Sequence, residues 1–314
     1  MPRARASSRG TFSRRVAPFI PVGLALLMQN AVLPAKPGAA ATTAAHNTLD
    51  VAVCQDIQDF NDCHSQYPTG CTLSGKYDTY LNLLKNEITF PASSAPVTFF
   101  TDGGQLTALD KQVQALPTKL ANGNHADLKD QLAGMGEGQM HGALGFLYSV
   151  TPENKGTGET SNCKLHDRET DVDFHIGIGF DDKLAARIRD AANGGKKLTL
   201  AEKASLKHTT FIVEMTPHYR ARFHPGWTSD SLKQVIGRRV KVVGQLMADN
   251  DHNVSSQNCA LPGSTQDCWR ATIWELHPVT QFQVCHSGNA CDLTSTDWKD
   301  LEEESPSDTG NEPD

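Results

Sequence analysis

Between Gly134 and Val284 the chain carries five short strand-like segments, of which Val172–Phe180 alternates apolar and polar residues with the period of two of a β-strand, and this constrains its fold more than any other feature. The segments are Gly142–Val150, Val172–Phe180, Thr209–Met215, Arg239–Met247 and Arg270–Leu276, the last continued past Pro278 by Val279–Val284. Between the second and third, Lys183–Lys207 is charged and helical, with Gly194 and Gly195 as a break. Between the third and fourth, Ser229–Ile236 reads as a helix capped by Thr228 or Ser229 and ended by Gly237. Three strands, a helix and two strands is the element order of an OB-fold, a small five-stranded Greek-key barrel. Gly142, Gly145, Gly177 and Gly179 suit the sharp coiling of such a barrel.

Ahead of the barrel, residues 46–133 read as a helical subdomain. Tyr77, Tyr80, Leu81, Leu84 and Ile88 recur at helical spacing, as do Leu109, Val113 and Leu116, and Leu128 with Leu132. Pro91, Pro96 and Pro117 interrupt them, and Ala92–Gly104 reads as a loop. The predicted class is therefore α+β, mostly β: a helical subdomain (46–133), then an OB-like barrel (134–292) with a helical insertion between strands two and three. Residues 293–314, acidic and rich in Ser, Pro and Glu, read as a disordered tail.

The first 45 residues read as an export address. Arg3, Arg5, Arg9, Arg14 and Arg15 precede the apolar stretch Val16–Leu33 and the small residues Gly38–Ala41, the order of a signal peptide. Pro18, Pro21 and Gln29 make a permanent membrane span the weaker reading, so the mature chain is expected without one, in a secreted or periplasmic setting. All eight cysteines follow that segment, and an even set in an oxidising compartment reads as disulfides. Cys54, Cys63 and Cys71 precede residue 72, and Cys163, Cys259, Cys268, Cys285 and Cys291 follow residue 160. If all pair, at least one bridge joins the two regions. Local pairs are expected at Cys259–Cys268 and Cys285–Cys291.

The segments Cys163–Leu165, Asp173–His175, Val213–Pro217, Val242–Met247 and above all Trp274–Val279 resemble a group of exported bacterial proteins. The resemblance covers roughly residues 140–285, leaves the N-terminal helices out, and implies fold and export but no reaction.

Residues two apart on a strand share a face, so Asp173 with His175 and Glu275 with His277 point the same way. In an OB order strands two, three and five are neighbours, and Asp173, His175, Glu214, Glu275 and His277 converge on one surface if the register holds. Carboxylates interleaved with imidazoles can bind a divalent metal such as zinc or act as an acid–base pair. The metal set would be Asp173, His175, Glu214 and His277, with Glu275 as catalytic base and Arg270 steadying charge. The same residues can instead be solvated or paired members of a half-exposed sheet.

Arg220, Arg222, His224, Arg238, Arg239 and Lys241, with Tyr219, Phe223 and Trp227, form a basic, aromatic stretch suited to phosphates, bases or sugars. Arg220, Arg222, Trp227, Arg239 and Trp274 are its candidate binding residues. Asp249–His252 offers ligand atoms but lacks the full acidic loop of an EF-hand. No Gly-x-Ser-x-Gly elbow and no phosphate-binding loop occurs. The leading expectation is a non-catalytic module for an oligosaccharide, oligonucleotide or protein partner outside the cytoplasm. A metal-dependent hydrolase of a phosphodiester or similar ester is the alternative, and a structural envelope protein the third reading.

Overall fold

The computed structural model describes residues 79–90, 96–153 and 169–304. The expected export segment, Cys54, Cys63, Cys71 and Cys163, and with them any bridge between the two regions, lie outside the described residues. In chain order the elements are α1 (Thr79–Lys85), β1 (Thr98–Phe100), α2 (Gly103–Gln114), α3 (His125–Gly134), β2 (Met140–Pro152) and β3 (Phe174–Gly179). There follow α4 (Asp182–Ala192), α5 (Leu200–Thr209), β4 (Phe211–Met215), α6 (Pro217–Phe223), α7 (Ser229–Gln234), β5 (Arg239–Ala248), β6 (Trp274–Cys285), β7 (Trp298–Asp300) and α8 (Leu301–Glu304).

The strands run β2-β3-β4-β6-β5, and β5 returns to pair with β2, which closes a five-stranded barrel. Only the β4–β6 pairing within this ring is parallel. This is the OB order expected from the alternation, with α4 and α5 inserted between the second and third barrel strands. Side-chain caps start three of the helices around the barrel. Asp181 caps α4, Thr199 and Glu202 form a capping box on α5, and Thr228 caps α7.

Two glycines mark where the barrel has no room. A Cβ on Gly145 would lie 2.6 Å from the Gly179 carbonyl oxygen across the β2–β3 pair. A Cβ on Gly244 would lie 2.7 Å from the Pro278 oxygen, where the β5–β6 register is irregular. That irregularity lets a proline, which donates no ladder hydrogen bond, sit inside β6.

The inward residues Phe174, Ile176, Ile178, Phe211, Val213, Trp274, Leu276 and Phe282 share one core with Leu106 and Val113 of α2 and Leu128 and Leu132 of α3. Helices α2 and α3 thus pack into the barrel's own core. Cys259–Cys268 and Cys285–Cys291 are disulfides, as the local spacing predicts.

Two expectations are corrected. The sequence over Ala92–Gly104 reads as a loop, yet within it β1 pairs in parallel with β2 at His141–Ala143. Three residues are too few to show a period, and Phe99 can lie over β2 because Gly142 has no Cβ there. The tail was expected to be disordered from 293, yet β7 pairs with the end of β6 and α8 follows it. The acidic composition hid two apolar anchors: Leu301 is fully buried and Trp298 nearly so. Glu304 also pairs with Arg238 at 2.8 Å.

Candidate functional site: a buried layer of alternating acids and bases

The strand period turns Phe174, Val213, Trp274 and Leu276 into the barrel and sends His175, Glu214, Glu275 and His277 to its outer face. Register then aligns them. His175 stands opposite Glu214 across β3–β4, and Ile212 opposite Glu275 across β4–β6. All five residues expected to converge do so.

They form part of a chain of alternating charge. Glu153, just past β2, lies 3.2 Å from His175 Nε2, and that nitrogen lies 3.3 Å from Glu214 Oε1. Glu214 Oε2 is 3.1 Å from His277 Nδ1, while Asp173 Oδ2 is 3.3 Å from His277 Nε2. Glu275 Oε2 approaches His277 Nδ1 at 3.6 Å, and its other oxygen meets Arg270 at 2.5 Å. Arg270 also reaches Asp249 at 3.4 Å, and Asp249 pairs with His252. The middle of this chain is sealed: Asp173, Asp249, Arg270, Glu275 and His277 are 0% exposed. Only its ends reach water, with the His175 side chain 24% and the His252 side chain 22% exposed.

The lid is the end of α1. Thr216 Oγ1 donates to the Lys85 carbonyl at 3.0 Å, and Gln245 Nε2 donates to the Leu84 carbonyl at 2.8 Å and the His277 carbonyl at 3.0 Å. Leu81 and Leu84 pack on Met247 beside these bonds.

Burial and charge oppose each other throughout the layer. Burial would lower His277, but Glu214 and Asp173 outweigh it and hold the imidazole well above its ordinary value. The same balance raises His175 through Glu214, Asp173 and Glu153, and His252 through Asp249. Burial would raise Glu214, but His175, His277 and Lys85 hold it well below the usual carboxylate range. Glu275 goes up, because burial and the charge of Glu214 together exceed the pull of Arg270.

Among the described residues, three groups bring potential metal ligands together. His208, Cys259 and Cys268 form no thiolate site, since both sulfurs are spent in a disulfide. Asp249, His252 and Glu275 already surround a cation, Arg270. In the third group, Asp173, Glu214 and His277, the ligand atoms lie within 4.8 Å of one another.

The expected basic binding surface is largely corrected. Arg220 is buried with its guanidinium 3.6 Å from the centre of the Phe174 ring, and donates to the carbonyls of Met215, Trp227, Thr170 and Val172. It is an internal strut, because four carbonyl oxygens converge where α6 leaves the barrel. Trp227 is buried against His224, and Trp274 lies in the barrel core. Arg239 lies over Phe146 and donates to the Cys291 carbonyl at 2.7 Å. Arg222 alone of the expected set is exposed, lying over Phe223. The proposed catalytic pair, Glu275 and Arg270, is sealed and mutually neutralised. Sequence reasoning missed Glu153 and Lys85, which carry no local signal, and gave Asp249 and His252 no part in the layer.

The fold and its site define an OB-like barrel with an ionic layer on its outer face. Compared with protein-family models, curated proteins and solved structures, the chain has no match.

Proposed function

We propose that the protein is an exported OB-like binding module that takes a neutral oligosaccharide on the surface around α6. The observation that carries this reading is a ladder of rings. Phe90 lies 6.2 Å from Tyr219, Tyr219 lies 4.7 Å from Phe223 and 6.0 Å from His224, and His224 stacks on Trp227 at 3.8 Å. Phe223 is 45% exposed, with Arg222 over its ring, so an aromatic face and a polar donor are offered to solvent together. Flat apolar faces beside hydrogen-bonding groups suit a sugar ring, and OB barrels are a recurrent scaffold for oligosaccharides.

An oligonucleotide fits less well. The cations that would hold phosphates are engaged elsewhere: Arg220 with carbonyls, Arg238 with Glu304, Arg239 with Cys291. The chain's net charge of -7 also opposes a polyanion. The hydrolase reading loses support for a different reason. A catalytic metal needs an open position that substrate can reach, and Asp173, Glu275 and His277 are sealed.

Export is supported by the order of charges and apolar residues in the first 45 positions and by two disulfides. No helix of the described residues is long and apolar enough to cross a membrane. The resemblance of Trp274–Val279 to exported bacterial proteins is part of the same proposal.

The test is calorimetric and fluorescent titration with neutral oligosaccharides and, separately, with single-stranded oligonucleotides. Trp227 lies beneath His224 and serves as reporter. Saturable sugar binding that Phe223→Ala weakens at least fivefold supports the reading. Salt-sensitive oligonucleotide binding with no response to sugars overturns it.

A further inference from the structure

The ionic layer has an unfinished centre. Five carboxylates (Glu153, Asp173, Glu214, Asp249 and Glu275) share the layer with Arg270 and the imidazoles of His175, His252 and His277. Arg270 serves the Glu275–Asp249 end, and His252 serves Asp249 again. At the Asp173–Glu214 end the group between the two acids is His277.

The atoms there are poorly satisfied by one another. Both ring nitrogens of His277 and Glu214 Oε2 are buried without a partner in hydrogen-bond geometry, although carboxylate oxygens stand 3.1 and 3.3 Å away. A buried polar atom left in that state is costly, so a fully buried imidazole in it calls for another occupant. In contrast, the outer atoms of the neighbouring acids are held: Glu214 Oε1 by His175, and Glu275 Oε1 by Arg270. Such outer partners are what orient ligands around a metal.

We infer that Asp173, Glu214 and His277 bind one divalent transition-metal ion as a closed centre beneath α1. The mutual separations, within 4.8 Å, are about twice a metal–ligand distance of roughly 2.0–2.2 Å, so one ion reaches all three with small side-chain shifts. One imidazole with two carboxylates selects zinc or its neighbours over calcium and magnesium, which prefer oxygen alone. The centre is structural: it is sealed by Leu84, Lys85 and Gln245, and binding there ties the start of β3 to β4 and β6. This inference is independent of the sugar reading, since the ring ladder and this centre share no residue.

The probe is the metal alone. Full-length chain is stripped with chelator, then titrated with Zn²⁺, Co²⁺ and Ca²⁺ by calorimetry, with bound metal counted by mass spectrometry and thermal unfolding followed in parallel. One equivalent of Zn²⁺ is expected, with a rise of several degrees in Tm, Co²⁺ bands of a low-symmetry site, and no comparable effect of Ca²⁺. Asp173→Asn, the mildest change, is expected to weaken Zn²⁺ at least tenfold, and His277→Asn to abolish binding. If either variant fails to fold, Glu214→Gln takes its place, with the same loss of at least tenfold in Zn²⁺ affinity expected. Absence of stoichiometric metal in the wild type, or unchanged Zn²⁺ affinity in a folded Asp173→Asn variant, overturns the inference. Loss of sugar binding in Phe223→Ala with metal retained keeps the two proposals apart.

Discussion

Replacing Asp110 by Asn is expected to remove one identifiable part of the pH dependence of stability. Asp110 sits on α2, buried against the chain just ahead of β6, where its Oδ1 accepts from the Ile273 amide at 3.3 Å. Burial pushes its carboxyl up from the ordinary 3.8 to about 6, against the pull of Thr272, the Ile273 amide and Arg270. The folded chain therefore holds this proton more tightly than the unfolded chain. Below the unfolded value both states are protonated, and the group's contribution is fully present. As pH rises toward about 6 the unfolded chain gives up its proton first, and stability falls. Above that value both states are ionised and the loss is complete. At about 1.4 kcal/mol per tenfold change, the gap amounts to roughly 3 kcal/mol. Asn keeps the acceptor and cannot ionise. Urea unfolding of wild type and Asp110→Asn at pH 4, 5, 6, 7 and 8 gives the difference in stability at each pH. Any constant cost of the amide cancels in the trend. The difference should move in favour of the variant by about 2.5 kcal/mol between pH 4 and pH 8. A difference that stays flat within about 0.5 kcal/mol would show that Asp110 is not held as described.

Three further outcomes are expected. Arg270→Met leaves Glu275 and Asp249 buried without their cation and should cost about 3–5 kcal/mol in urea unfolding; a loss below about 1 kcal/mol would show that the layer does not depend on it. Gly145→Ala drives a Cβ to 2.6 Å from the Gly179 oxygen, a backbone atom that cannot rotate away, and should lower stability by about 1–3 kcal/mol, with a smaller change refuting the close approach. Cys285→Ser with Cys291→Ser opens a loop of sequence separation 6 and should cost about 2 kcal/mol in thermal unfolding, matched by wild type under reductant once the Cys259–Cys268 contribution is subtracted with its own double variant.

Much of the barrel was legible because alternation speaks directly of faces. That Asp173 shares a face with His175, and Glu275 with His277, follows from a period of two, and the OB order then makes neighbours of β3, β4 and β6. Short loops likewise made Cys259–Cys268 and Cys285–Cys291 readable. What alternation cannot say is what lies over the outer face. The convergence was foreseen, but the seal was not, because Thr216 meets Lys85 across 131 residues. Arg220, Trp227 and Trp274 were misplaced for a related reason. Each is amphipathic, and its burial is decided by which carbonyls or rings the tertiary fold brings near it. Trp298 and Leu301 were lost among acids, since composition averages over the residues that anchor.

The ionic layer also governs how the strands can be aligned. A one-residue slip of β4 against β3 would turn Glu214 toward Phe174 and Ile176 inside the barrel, an unpaired carboxylate in an apolar interior. A two-residue slip would restore the facing but carry Glu214 about 6.6 Å along the strand, away from both His175 and His277. Neither odd nor even displacement is tolerated, so the charges specify a single alignment that the aliphatic residues, being interchangeable, do not. A barrel with this layer rebuilt from leucine and valine should hold together at least as firmly. Its strands would keep only the glycine contacts and the apolar face to choose one pairing over the next.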